Sequence, residues 1–79
     1  MNAPIDQTTL DARGLKCPLP VLKARRALKD IPPGGLLRVL ATDPGATKDF
    51  THFCETTGCL MVESGQEGDV LNFLLRKPA

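Results

Sequence analysis

The sequence contains no tryptophan and no tyrosine, and only three phenylalanines. So few aromatic rings leave little for stacking on nucleic-acid bases, so direct nucleic-acid binding is not expected. Charge gives no opposing argument: ten basic and nine acidic residues leave a formal charge of +1, too little to favour a polyanion. No apolar run approaches the length of a membrane span, and no membrane association is expected. Met1 to Thr9 includes Asp6 and no apolar stretch, unlike a signal peptide. There is one histidine, His52, with no second ligand at metal spacing, so it reads as a solvated surface residue. The cysteines at 17, 54 and 59 are equally poor as a zinc set, and neither metal nor cofactor is expected. An odd number of cysteines without paired spacing argues against a disulfide framework and for reduced thiols in a cytoplasmic protein. At 79 residues the chain makes one domain with a modest core and no separate catalytic lobe. It is expected to be a monomer.

Local patterning divides the chain further. Residues 1–6 read as a flexible arm, and 7–79 as the single domain. Gln7 to Asp11 suits a first strand, and Ala12 to Lys16 a loop around Gly14. Pro20, Val21, Ala24, Ala27, Leu28 and Ile31 recur at helical spacing and should face inward. Lys23, Arg25, Arg26 and Lys29 should take the other side, and Pro32-Pro33-Gly34-Gly35 should end the helix. Leu36 to Thr42 suits an interior strand. Asp43 then offers an N-cap with Pro44 at the first helical position. Ala46, Phe50, Phe53, Cys54 and Thr57 mark the inner face of a second helix, and Gly58 suits its C-terminal cap. Cys59 to Ser64 and Val70 to Arg76 read as two more strands joined by a hairpin turn over 65–69. The order β-α-β-α-β-β, with one apolar stripe per helix, predicts an α/β two-layer sandwich with both helices on one face of a four-stranded mixed sheet.

The most unusual segment is Lys16-Cys17-Pro18-Leu19-Pro20. Pro18 biases Cys17 toward extended dihedrals, which an N-cap requires. Both prolines are then tolerated in the first helical turn, where their missing N–H groups are orphans in any case. Cys17 would thus sit at the positive end of the helix dipole, near the N–H groups of Leu19 and Val21 and the charges of Arg13 and Lys16. Each feature favours thiolate, the form that exchanges sulfur with sulfur. Taken alone, a cysteine near a helix start is usually a small apolar filler; the two prolines keep this one outside the core.

The run Thr9-Leu10-Asp11-Ala12-Arg13-Gly14-Leu15-Lys16-Cys17-Pro18-Leu19-Pro20-Val21-Leu22 resembles the signature of the TusA/SirA-like sulfur-carrier proteins, a Cys-Pro-x-Pro box preceded by Leu-Asp-x-x-Gly-Leu. The resemblance extends over Thr42-Asp43-Pro44, a Phe-rich second helix closed by glycine, and the terminal Leu-Leu-Arg-Lys, about residues 8–77. It implies the same β-α-β-α-β-β sandwich. It also implies that Cys17 accepts persulfide sulfur from a cysteine desulfurase or rhodanese-type donor and relays it to a small sulfur-transfer acceptor protein. End points of such relays include tRNA thiolation, cofactor maturation and sulfur oxidation. Many relatives have histidine after the glycine closing the second helix, where this chain has Cys59.

The remaining candidates are weaker. Cys54, beside Phe50 and Phe53, reads as a buried structural thiol. Cys59 opens a strand, so it should lie at the sheet edge opposite Cys17, roughly 20 Å away, too far for an intramolecular disulfide. Six of the ten basic residues fall between Arg13 and Lys29, either a solvated face or a docking surface for acidic partners. Asp43 and Pro44 could join that docking rim, and Asp11 could brace the loop backbone. Cys17 has no local base for acyl transfer, so small-molecule turnover is not expected. A small regulatory or RNA-binding α/β module is the main alternative. A redox protein would need a resolving thiol, and no Cys-x-x-Cys is present.

Overall fold

The computed structural model describes residues 7–79; the arm expected over 1–6 lies outside them. Six elements follow in the expected order: β1 (Gln7–Ala12), α1 (Leu19–Leu28), β2 (Leu36–Ala41), α2 (Ala46–Thr57), β3 (Leu60–Glu67) and β4 (Val70–Arg76). They form a four-stranded sheet in the order β1-β2-β4-β3, with the two helices packed on one face. β1 and β2 are parallel, with Gln7 opposite Leu36 and Ala12 opposite Ala41. β4 runs antiparallel to both β2 and β3.

The position of β4 follows from its composition. Leu71, Phe73, Leu74 and Leu75 are all buried, so this strand gains most from a neighbour on each side. β3, carrying Glu63, Ser64, Gln66 and Glu67, is almost wholly exposed and is tolerated at the edge, where it is further irregular between Met61 and Glu63. The hairpin differs from expectation: β3 continues to Glu67, which pairs with Val70. The connection is therefore only Gly68 and Asp69. Gly68 takes φ 63°, as a tight hairpin requires, and Gln66 Nε2 donates to its carbonyl at 2.9 Å. Cys59 precedes β3 rather than beginning it.

Strand alternation supplies the core. Leu37, Val39 and Ala41 of β2 and Leu71, Phe73 and Leu75 of β4 face the helices and are buried. From α1 come Pro20, Ala24 and Leu28, with Ile31 beyond its end; Val21 and Ala27, expected inside, are only half-buried. From α2 come Ala46, Phe50, Phe53 and Cys54. Phe50 is the hub, with its ring 5.0 Å from that of Phe73 and 6.2 Å, edge-on, from that of Phe53. At the lower end, Lys77 reaches back so that its Nζ donates to the carbonyls of Leu28 and Ile31 at 2.8 and 2.7 Å, placing a cation at the C-terminal end of α1, where the helix dipole favours one.

Candidate functional site

Both helix starts differ from the sequence expectation, and the differences shape the site. α1 begins at Leu19 with Pro18 as its N-cap, and no side chain caps it. The Leu19 N–H is already taken by the Lys16 carbonyl at 2.8 Å, so the helical ladder starts one residue later, from the Pro18 carbonyl to the Leu22 N–H at 3.1 Å. Cys17 is thus not the N-cap but part of a turn before the helix, and its peptide bond to Pro18 is cis. Pro20 is the second helical residue, still within the turn whose N–H groups need no helical partner. α2 likewise begins at Ala46, with Gly45 as N-cap. Asp43 still captures a backbone N–H, that of Gly45 at 3.0 Å, but as a turn ahead of the helix, with Pro44 in that turn. Gly58 closes α2 at φ 80° as expected.

These two turns meet at the upper edge of the sheet. Gly14, at φ 82°, donates its N–H to Thr42 Oγ1 at 2.9 Å, which ties the β1–α1 loop to the β2–α2 loop. Asp11 braces the first loop by accepting the Arg13 N–H at 3.1 Å and its guanidinium at 2.8 Å. That pairing holds the Asp11 carboxyl at about 2.

Cys17 is exposed, whereas Cys54 and Cys59 are buried. Its surroundings are not those expected. The Cys17 thiol donates to Asp49 Oδ2, on the first turn of α2. This hydrogen bond, then partial burial, then the charges of Asp49 and Asp43, push the thiol above its ordinary range. Arg13, expected to favour thiolate, is occupied by Asp11, and the Leu19 N–H is spent on Lys16. The resting site therefore favours the thiol, a reversal of the sequence reading. It arises because the carboxylates acting on the sulfur, Asp49 of α2 and Asp43 of the turn before it, come from a distant part of the chain.

Cys17 opens onto a groove of about 240 Å³ between the helices, lined by Val21 and Arg25 of α1 and by Asp49, His52 and Phe53 of α2. The Arg25 guanidinium lies 5.3 Å from the centre of the Phe53 ring. His52 is exposed as expected, but it shares this groove with Cys17, which its position in the sequence did not indicate. Asp49 was missed entirely: nothing local marks it beyond an acid in the first turn of a helix. Lys16, Lys23, Arg25, Arg26 and Lys29 are all exposed. Leu19 and Leu22 also stand exposed beside them, at 46% and 51%, an apolar element of the same surface that the helical pattern did not single out. Pro44 lies on the far side of the Asp43 turn, near Thr47 and Leu71. Among the described residues, no three of His, Cys, Asp and Glu converge as a metal would require, and no helix is long and apolar enough to cross a membrane.

The family model described as Sulfurtransferase TusA matches residues 8–77. The chain belongs to the TusA sulfur-carrier family. A sulfur carrier protein TusA of Allochromatium vinosum is 48% identical over 68 residues, covering 86% of this chain and 90% of its own. A putative sulfur carrier protein of Neisseria meningitidis serogroup A is 42% identical over 72 residues, covering 91% and 97%. The crystal structure of a SirA-like protein from Desulfitobacterium hafniense superposes with a TM-score of 0.79 at 26% identity, covering 91% of this chain and 99% of that one. The TusA assignment thus spans both loops of the upper edge, both helices and the whole sheet.

Proposed function

We propose that Cys17 carries sulfur as a persulfide, taken from a cysteine desulfurase or rhodanese-type donor and passed to a small sulfur-relay acceptor protein. The observation that carries this reading is the contrast among the three thiols: Cys17 is exposed at the joined loops of the upper edge, and Cys54 and Cys59 are buried. An exposed thiol on a rigid rim can be reached by a second protein's sulfur; a buried one cannot. Membership of a sulfur-carrier family supplies the cargo. The exposed row Lys23, Arg25, Arg26 and Lys29, with Leu19 and Leu22, supports docking of acidic partners along α1, with Asp43 at the adjoining turn and Pro44 turned away from it. The protein works in the cytoplasm as a monomer, and its sulfur serves tRNA thiolation, cofactor maturation or sulfur oxidation. A nucleic-acid-binding reading is disfavoured because Phe50, Phe53 and Phe73 are all buried, leaving no ring on which a base could stack.

The test is incubation with a cysteine desulfurase and labelled cysteine, followed by intact and peptide mass measurement. One additional sulfur is expected, on Cys17, removable by reductant. Cys17→Ser abolishes it, while Cys54→Ser and Cys59→Ser retain it. Because Cys17 is exposed and caps nothing, its serine variant should unfold within about 0.5 kcal/mol of wild type. Labelling of Cys17→Ser to the wild-type level refutes the assignment.

A further inference from the structure

A carrier must release what it has accepted, and the groove contains a group suited to that. Asp49 places a carboxylate against the Cys17 sulfur, where it accepts the S–H hydrogen bond. Resting on the persulfide reading above, we propose that Asp49 distinguishes the empty carrier from the loaded one, holding the neutral thiol against α2 and repelling the persulfide anion outward.

The chemistry follows from what each state offers the carboxylate. An empty Cys17 has a hydrogen to donate. During loading, the Cys17 sulfur forms a bond to the outer sulfur of the donor's persulfide anion. The donor's own S–S bond breaks, and its electron pair leaves on the donor cysteine, which takes the proton given up by Cys17. One S–S bond forms and one breaks, so no oxidant or reductant is needed. A persulfide is a stronger acid than the thiol it replaces, so at neutral pH the product is an anion with nothing to donate. The attraction that held the thiol becomes a repulsion between two negative groups.

The other charges facing Cys17 do not cancel this. Asp43, from the turn before α2, is also an acid and also pushes the thiol up. Arg25 of α1 and His52 of α2 line the groove, but Arg25 is drawn over the Phe53 ring, and His52 is exposed. Lys16, on the loop of Cys17 itself, is also exposed. Among the described residues, only Asp49 is hydrogen-bonded to the sulfur. The consequence is a carrier that is slow to react without a partner and does not hold its cargo tightly.

Asp49→Asn tests this with two readouts, and the equally uncharged Asp49→Ser serves if the amide does not fold. The first is the rate of Cys17 alkylation against pH in the free protein, located by peptide mass spectrometry. The midpoint should fall in the variant. For each unit of that fall, the rate near pH 7 should rise about threefold, since the gain in thiolate outweighs the loss of nucleophilicity. The second is the ratio of loaded to empty protein at equilibrium with a fixed mixture of glutathione and glutathione persulfide. It should rise at least about fivefold, the water-limit repulsion of two unit charges about 4 Å apart. An unshifted alkylation profile, or an unchanged or lower loading ratio, overturns the inference. Wild-type protein that takes up no sulfur from any donor sinks the persulfide reading and this inference together. Normal uptake with an unchanged ratio sinks this inference alone.

Discussion

Phe50 joins the chemistry to the core, and Phe50→Ala measures how firmly. Its ring is fully buried, with Phe73 at 5.0 Å and Phe53 at 6.2 Å, and its chain neighbour Asp49 faces Cys17. Truncation to alanine removes the apolar transfer energy of the ring and leaves a cavity that the sheet cannot close, a cost of about 3–5 kcal/mol. The lost edge-on and tilted ring contacts fall within that range rather than adding to it. For a domain of 79 residues, total stability is about 4–12 kcal/mol, so this single change should consume a large share of it. Urea unfolding followed by far-ultraviolet circular dichroism is the assay. The midpoint should drop while the slope stays constant, since the surface exposed on unfolding hardly changes. Phe50→Leu, which refills most of the volume, should recover more than half of the loss. If Phe50→Ala cost less than about 1 kcal/mol, the ring would not be the hub that fixes α2 on the sheet.

Other outcomes follow from the same structure. Replacing Arg25, Arg26 and Lys29 together with glutamate should leave the fold intact, since all three are exposed. On the proposed reading it should weaken binding to a sulfur donor, with wild-type affinity falling as salt is raised; calorimetric titration showing unchanged affinity would make this face merely solvated. Lys77→Met keeps the apolar stem but strips the Ile31 carbonyl of its donor and leaves the Leu28 carbonyl only the Ile31 N–H at 3.2 Å, and should cost about 2 kcal/mol in urea unfolding. Burial pushes the Cys54 thiol up to about 11, with the nearby Cys59 adding to the shift. The unfolded chain therefore loses this proton at lower pH than the folded protein. Stability should be unaffected by Cys54 below about pH 9 and decline as pH rises from there through about 11. Cys54→Ala, though less stable overall, should show a shallower decline in thermal melts across that range.

Much of this molecule was legible from residue order. The periods of α1 and α2 named their buried faces because a helix packed on a sheet must bury one stripe, and Pro20, Ala24, Leu28, Phe50, Phe53 and Cys54 were read from that alone. The apolar run from Leu36 to Thr42, the stop at Pro32 to Gly35 and the glycine closing α2 were equally local signals. So was the exposure of Cys17, since its two prolines confine it to the margin of a helix. What residue order did not carry is the identity of the neighbours. The turn closed by the Leu19 N–H on the Lys16 carbonyl moved the start of α1 by one residue. The insertion of β4 between β2 and β3, and the reach of Lys77 to α1, depend on pairings across tens of residues. The decisive case is the Cys17 environment. Local charges argued for a thiolate, but electrostatic influence falls with distance in space and is indifferent to distance along the chain. Arg13 turned to Asp11, Asp49 arrived from the opposite helix, and the site became one that holds a thiol.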